Sequence, residues 1–187
     1  MNDKPYSVET LSPAEAESVL RQHGNRRSLV LPGGLELVGE FSLTARDVES
    51  GKIEWEHSDK NLITDYGRRM WMYGRWQSMA INFAPSLEVP HLGRYSVSTD
   101  STQCVGSGWL TAVNTPATHT KTFSTTFGVP AANRTLGTIF LCYAGSGVTA
   151  NKGVVNVAAF ALLTPPRTQT TAQTLEVVYK VSMNPIA

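Results

Sequence analysis

The sequence predicts a mainly β protein: a β-sandwich or barrel-like domain with one inserted helix, preceded by an N-terminal arm that carries a short helix. Three observations predict it. Apolar and polar residues alternate with a two-residue period through Phe41-Ser42-Leu43-Thr44-Ala45 and again through Leu175–Val181. Short apolar segments are separated by recurrent turn chemistry such as Glu49-Ser50-Gly51, Gly106-Ser107-Gly108 and Gly145-Ser146-Gly147. Charge is unevenly spread: residues 1–94 carry 24 of the 31 charged side chains, and residues 95–187 carry 7 together with 17 of the 20 threonines. Low charge with many β-branched residues is a strand composition, and such a segment tends to lie inside a sandwich or against neighbouring subunits.

The 187 residues suit one domain, divided as an arm over 1–27 and a β domain over 28–187, with enough chain to bury a core without disulfide staples. In the arm, Ser12-Pro13-Ala14-Glu15 combines an N-cap serine, a proline at the first helical position and a glutamate three residues after the cap. The helix should run to about Gln22 and stop at Gly24. Its apolar residues Leu11, Ala14, Val19 and Leu20 form a thin stripe that needs another surface.

Leu35 to His57 reads as a hairpin. Phe41, Leu43 and Ala45 share one face, the turn falls within Asp47–Lys52, and Ile53, Trp55 and His57 alternate with Glu54 and Glu56. The two glutamates read as a solvated face opposite Arg46. From Asn61-Leu62-Ile63-Thr64-Asp65 the period becomes helical: Thr64 or Asp65 is the cap, and Tyr66, Met70 and Tyr73 line one face of a helix over about 65–78. Further strands follow at Tyr95–Ser98, Lys121–Gly128 and Thr138–Tyr143, the last two joined around Pro130–Asn133. The nearly continuous apolar run Val154–Leu163 is expected to be a strand buried on both faces. The closing strand is Leu175–Met183.

Several function classes find no support in the residues. A net charge of +1 argues against a general nucleic-acid binder, and no specific nucleic-acid partner is expected. No apolar run is long enough for a membrane helix, and Met1-Asn2-Asp3-Lys4 lacks the apolar stretch of a secretory signal. Cys104 and Cys142 are expected as reduced, buried thiols. His23, His57, His91 and His119 show no metal-ligand spacing and neither cysteine lies in a Cys-x-x-Cys pair, so no metal and no cofactor are expected. Asp59, Asp65 and Asp100 do not form a calcium loop. Pro32-Gly33-Gly34 is a turn rather than a phosphate loop, and Ser107 and Ser146 lack a nucleophile-elbow setting. Asn133-Arg134-Thr135 matches a glycosylation sequon, which has meaning only on export. Arg68, Arg69, Arg75 and Arg94 beside aromatic residues read as rims of a packed helix. Catalytic residues are expected to be none.

Two stretches carry a family likeness. Gly39-Glu40-Phe41-Ser42-Leu43-Thr44-Ala45-Arg46-Asp47, a Ser-Gly-Lys turn and Lys60-Asn61-Leu62-Ile63-Thr64-Asp65-Tyr66-Gly67 form the first. Leu162-Leu163-Thr164-Pro165-Pro166-Arg167-Thr168-Gln169-Thr170 with Leu175-Glu176-Val177-Val178-Tyr179-Lys180-Val181 forms the second. Together, over about residues 36–70 and 160–183, the chain resembles small tail structural proteins of tailed bacteriophages. In those proteins a hairpin precedes "N-L-I-T-D-x-G" and a helix, and a "P-x-T-K-T" segment leads to a final strand. Where that family has a "G-T-G-T" turn, this chain has Val97-Ser98-Thr99-Asp100-Ser101-Thr102.

The resemblance implies a non-enzymatic virion component, tail-associated as a fibre, fibre adaptor or tail-tip protein, forming a homo-oligomer that contacts other tail proteins. A head–tail connector or capsid decoration protein is the nearest alternative. A carbohydrate-binding β-sandwich would instead meet a host-surface glycan through Trp76 or Trp109. An enzyme, such as a glycan depolymerase, would have to use Glu54 and Glu56 as paired carboxylates.

Overall fold

The computed structural model describes residues 8–23, 28–31, 33–72, 79–90, 94–97, 106–109, 111–115, 119–143 and 153–185. In chain order the elements begin with β1 (Val8–Leu11), α1 (Pro13–His23), β2 (Ser28–Leu31), β3 (Leu35–Asp47) and β4 (Ile53–Lys60). There follow β5 (Leu62–Ile63), α2 (Asp65–Met72), β6 (Met79–Ala84), β7 (Leu87–Pro90), β8 (Arg94–Val97) and β9 (Gly106–Trp109). The last five are β10 (Thr111–Thr115), β11 (Thr120–Phe127), β12 (Arg134–Tyr143), β13 (Gly153–Gln169) and β14 (Gln173–Pro185).

Twelve of these strands form two six-stranded antiparallel sheets, the β-sandwich-like, mainly β fold that the alternation predicts, and β1 and β7 pair antiparallel as a separate two-stranded sheet. The first sheet runs β10-β11-β14-β3, with β2 and β4 sharing the far edge of β3. The second runs β5-β13-β12-β6-β9, with β8 also paired to β13. Strands β11 and β12, adjacent in sequence, lie in different sheets, so the Pro130–Asn133 connection carries the chain from one layer to the other.

The main core lies between the sheets. From the first come Leu37, Phe41, Leu43, Ala45, Phe123, Phe127, Leu175, Val177, Tyr179 and Val181; from the second come Met79, Ile81, Phe83, Leu136, Ile139, Leu141 and Leu163. The inward faces of β3 and β14 are the alternating residues of the sequence, because successive side chains of a strand point to opposite sides. The second sheet is buried on its outer face as well. Phe140, Cys142, Val157, Phe160 and Leu162 pack there beneath Ala16 of α1 and Leu87 of β7. That double burial explains the unbroken apolar run: every residue from Val157 to Leu163 is buried.

The expected stripe of α1 is corrected: Ala16 is the helix residue buried against the sheet, with Leu11 partly buried beside it. Ala14, two positions away and so on the opposite side of the helix, is exposed, and the side chains of Val19 and Leu20 lie outside the described residues. The N-terminus of α1 is a capping box: the Ser12 N–H donates to Glu15 Oε2 at 2.8 Å and the Glu15 N–H donates to Ser12 Oγ at 3.4 Å. The second helix has its cap at Thr64 and extends from Asp65 to Met72; the expected continuation over 73–78 lies outside the described residues.

Candidate functional site

Three regions combine polar groups with burial or exposure in ways that ask for a function. The first is the junction between β3, β5, α2 and β14. Asn61 is fully buried; its N–H donates to the Gly39 carbonyl at 3.1 Å and its side-chain Nδ2 donates to the Tyr179 hydroxyl at 3.2 Å. Gly39 is obligatory there, since a Cβ would overlap Asn61 Oδ1 and the Tyr179 hydroxyl. Burial pushes the Tyr179 phenol far above its ordinary range, against a smaller lowering by the Asn61 bond, so the ring stays neutral. Phe41 and Phe123 flank it with centroids at 4.7 and 6.2 Å.

Three residues on, Thr64 fastens the helix to the second sheet. Its hydroxyl donates to the Val157 carbonyl at 2.6 Å and accepts the Gly67 N–H at 3.0 Å, while its own N–H donates to the Ala158 carbonyl at 3.0 Å. A Cβ on Gly67 would overlap the Ala158 carbonyl oxygen, so helix and strand touch backbone to backbone. Apart from the buried Asn61 Oδ1, which has no hydrogen-bond partner, these groups are engaged in packing or capping, so the junction holds the two sheets and α2 together.

The second region is the end of the sandwich where the β3–β4, β11–β12 and β13–β14 connections meet. Gln169 is fully buried. Its Oε1 accepts Arg134 Nε at 2.8 Å and also the Arg134 Nη2, and its Nε2 donates to the Gly128 and Gln173 carbonyls at 3.1 and 2.8 Å. The Arg134 guanidinium also lies 5.3 Å from the centre of the Phe127 ring. Gln173 Oε1 accepts the Thr170 N–H at 3.0 Å, Asn133 Oδ1 accepts the Thr171 N–H at 3.0 Å, and the Val48 N–H reaches the Ala172 carbonyl at 2.9 Å. On these fixed loops and their flanks sit Val48, Ile53 and Val129, large apolar side chains 52%, 41% and 44% exposed. A rigid set of loops with apolar tips is suited to contact with another macromolecule.

The third region is the edge strand β4. Trp55 turns inward and its Nε1 donates to the Thr168 carbonyl at 3.1 Å, tying the edge to β13. Beside it, His57 Nε2 and Arg167 Nε are buried and have no hydrogen-bond partner. Burial first, and the Arg167 charge second, lower the His57 pKa; Asp59 opposes them. The folded state therefore prefers neutral His57. Stability from this source is complete above about pH 6.5 and declines as pH falls toward the lowered folded value. Denaturant melts between pH 7.5 and 5.5 should show this decline, and His57→Gln should flatten it.

Glu54 and Glu56 are exposed on β4 as expected, but their partner is corrected. A bulge between Ala45 and Arg46 puts Ile53 opposite Arg46 and Thr44 opposite Glu56, because one extra residue on β4 shifts the register. Cys142 is a buried cysteine; Cys104 lies outside the described residues. So do Trp76 and Arg75, and the side chains of Trp109 and Arg94. Among the described residues no group of three or more His, Cys, Asp or Glu is placed to hold a metal ion, and no helix is long and apolar enough to cross a membrane.

Sequence reasoning missed Gln169, Gln173 and Arg134. In Thr168-Gln169-Thr170-Thr171-Ala172-Gln173 a buried glutamine reads like its solvated neighbours. Comparison with protein families, characterised proteins and solved structures finds no match for this chain.

Proposed function

We propose that the protein is a non-enzymatic structural subunit of a tailed-bacteriophage virion, tail-associated as a fibre, fibre adaptor or tail-tip component and working as a homo-oligomer. One observation carries this reading. The two stretches that resemble phage tail proteins lie at opposite ends of the β domain, yet they meet in one packed unit. Strands β3 and β14 pair from Leu35↔Pro185 to Asp47↔Gln173, and Asn61 of the first stretch bonds Tyr179 of the second. The shared residues Asn61, Thr64 and Gly67 are those that fix α2 and the sheets. The likeness is thus borne by residues that specify a fold, which is the kind of residue a structural family shares.

The loop end with exposed Val48, Ile53 and Val129 offers contact area, and a virion subunit needs large contacts rather than an active site. Antibody labelling of washed virions, viewed by electron microscopy, tests the proposal. Label along or at the tip of the tail is expected. Label confined to the head or its vertex would favour the decoration or connector alternative, and unlabelled particles would overturn the reading.

A further inference from the structure

Strand β4 is an edge. Among the described residues it pairs with β3 alone, leaving one row of backbone groups open along Ile53–Lys60. Which groups lie in that row follows from the ladder. The Asn61 N–H donates to the Gly39 carbonyl, and Lys60 stands opposite Glu40. In an antiparallel pair, successive residues turn their N–H and C=O to alternate sides. Trp55, His57 and Asp59 therefore bond β3, whereas Glu56, Ser58 and Lys60 point theirs outward. The segment contains no proline, and its one bulge lies at the Ile53 end, so Glu56–Lys60 is a straight, open template.

We propose that this edge pairs with β4 of a second copy, antiparallel about a twofold axis at Ser58. The open-edge residues then match as Ser58 with Ser58 and Glu56 with Lys60 of the second copy, twice by symmetry. This gives about six backbone N–H···O bonds and two pairs of opposite charge. Other registers fit less well. A centre at Glu56 sets Glu56 against itself, and a centre at Asp59 sets Asp59 against itself. A centre at His57 stacks the two His57 and requires Glu54, which sits where the β3–β4 ladder is interrupted. The contact is isologous, as a twofold interface requires, and it joins the first sheets of two copies into one continuous sheet. It does not depend on the virion reading.

The test uses the full chain. Light scattering after size exclusion, over a hundredfold range of concentration, should give a dimer or an even multiple of the 20.3 kDa chain. Ser58→Pro should halve that mass: of the backbone groups it removes only an outward N–H, so β4 keeps its backbone bonds to β3 and loses there only the Ser58 Oγ bonds to Glu40 and Ser42. Unchanged far-UV circular dichroism would verify the fold. Lys60→Glu should weaken association at least about tenfold in low salt, and Glu56→Lys combined with Lys60→Glu should restore it. Ser58→Cys should form a disulfide-linked dimer on mild oxidation, because directly opposed, hydrogen-bonded residues lie about 5.5 Å apart at Cα. A single-chain mass at every concentration would overturn the proposal. So would a folded Ser58→Pro variant that keeps the full mass, or a Ser58→Cys variant without covalent dimer.

Discussion

Gly67→Ala is expected to destabilise the protein by about 3 kcal/mol, the upper end of what overpacking costs. For a chain of this size that is a fall in melting temperature of about 6–12 °C. Helix propensity alone predicts the opposite sign, since alanine is favoured over glycine within a helix by about 1 kcal/mol. The packing term wins because the new methyl would meet the Ala158 backbone, with its carbonyl carbon 2.8 Å and its Cα 3.1 Å away. A flexible side chain could yield; a strand in the middle of a sheet cannot without disturbing its ladder. The variant must lift α2 from β13 or stretch the Thr64 cap, whose hydroxyl bonds the Val157 carbonyl. An unchanged or raised melting temperature would show that helix and strand are not in backbone contact.

Gln169→Leu should cost about 3 kcal/mol for a different reason. Leucine is of similar size, so little cavity forms, but the Gly128 and Gln173 carbonyls and the Arg134 guanidinium all lose a partner. A buried group left unsatisfied costs about 1–3 kcal/mol, a cost that falls mainly on the buried Gln173 and less on the half-buried Arg134 and the exposed Gly128. The loss should fall on the loop end, read as faster amide exchange in β13–β14 and in residues 128–133 than in the β12–β13 ladder. Thr171→Ala, on the exposed turn beside it, should stay within about 0.5 kcal/mol of the parent. Equal melting temperatures for the Gln169→Leu variant and the parent would mean that the glutamine does not organise these loops.

The two variants mark what a linear reading of the sequence can and cannot reach. The hairpin of β3 and β4, the doubly buried β13, the alternating β14 and both helix caps were legible. Each is a local matter of period or of residues three positions apart. The polar residues that matter most were not. Asn61 is buried because Tyr179 of a distant strand meets it, and Gln169 because Arg134 and Gly128 come from the other side of a layer crossing. Neither partner is signalled near the residue itself. The pairing of Arg46 failed for a related reason, since one bulge shifts the register and no local pattern announces it. The motif Asn61-Leu62-Ile63-Thr64-Asp65-Tyr66-Gly67 was visible as a likeness. Its physical role, a bond across sheets, a cap and a close approach, required the three-dimensional arrangement.

The central claim is that the chain serves as a built-in part of a virion, and copy number in the particle tests it most directly. Quantitative mass spectrometry of purified particles, with labelled peptides of this chain as standards, should give a fixed whole number of copies per virion. That number should survive a high-salt wash. Absence from the particles, or a variable trace that the wash removes, would contradict the account.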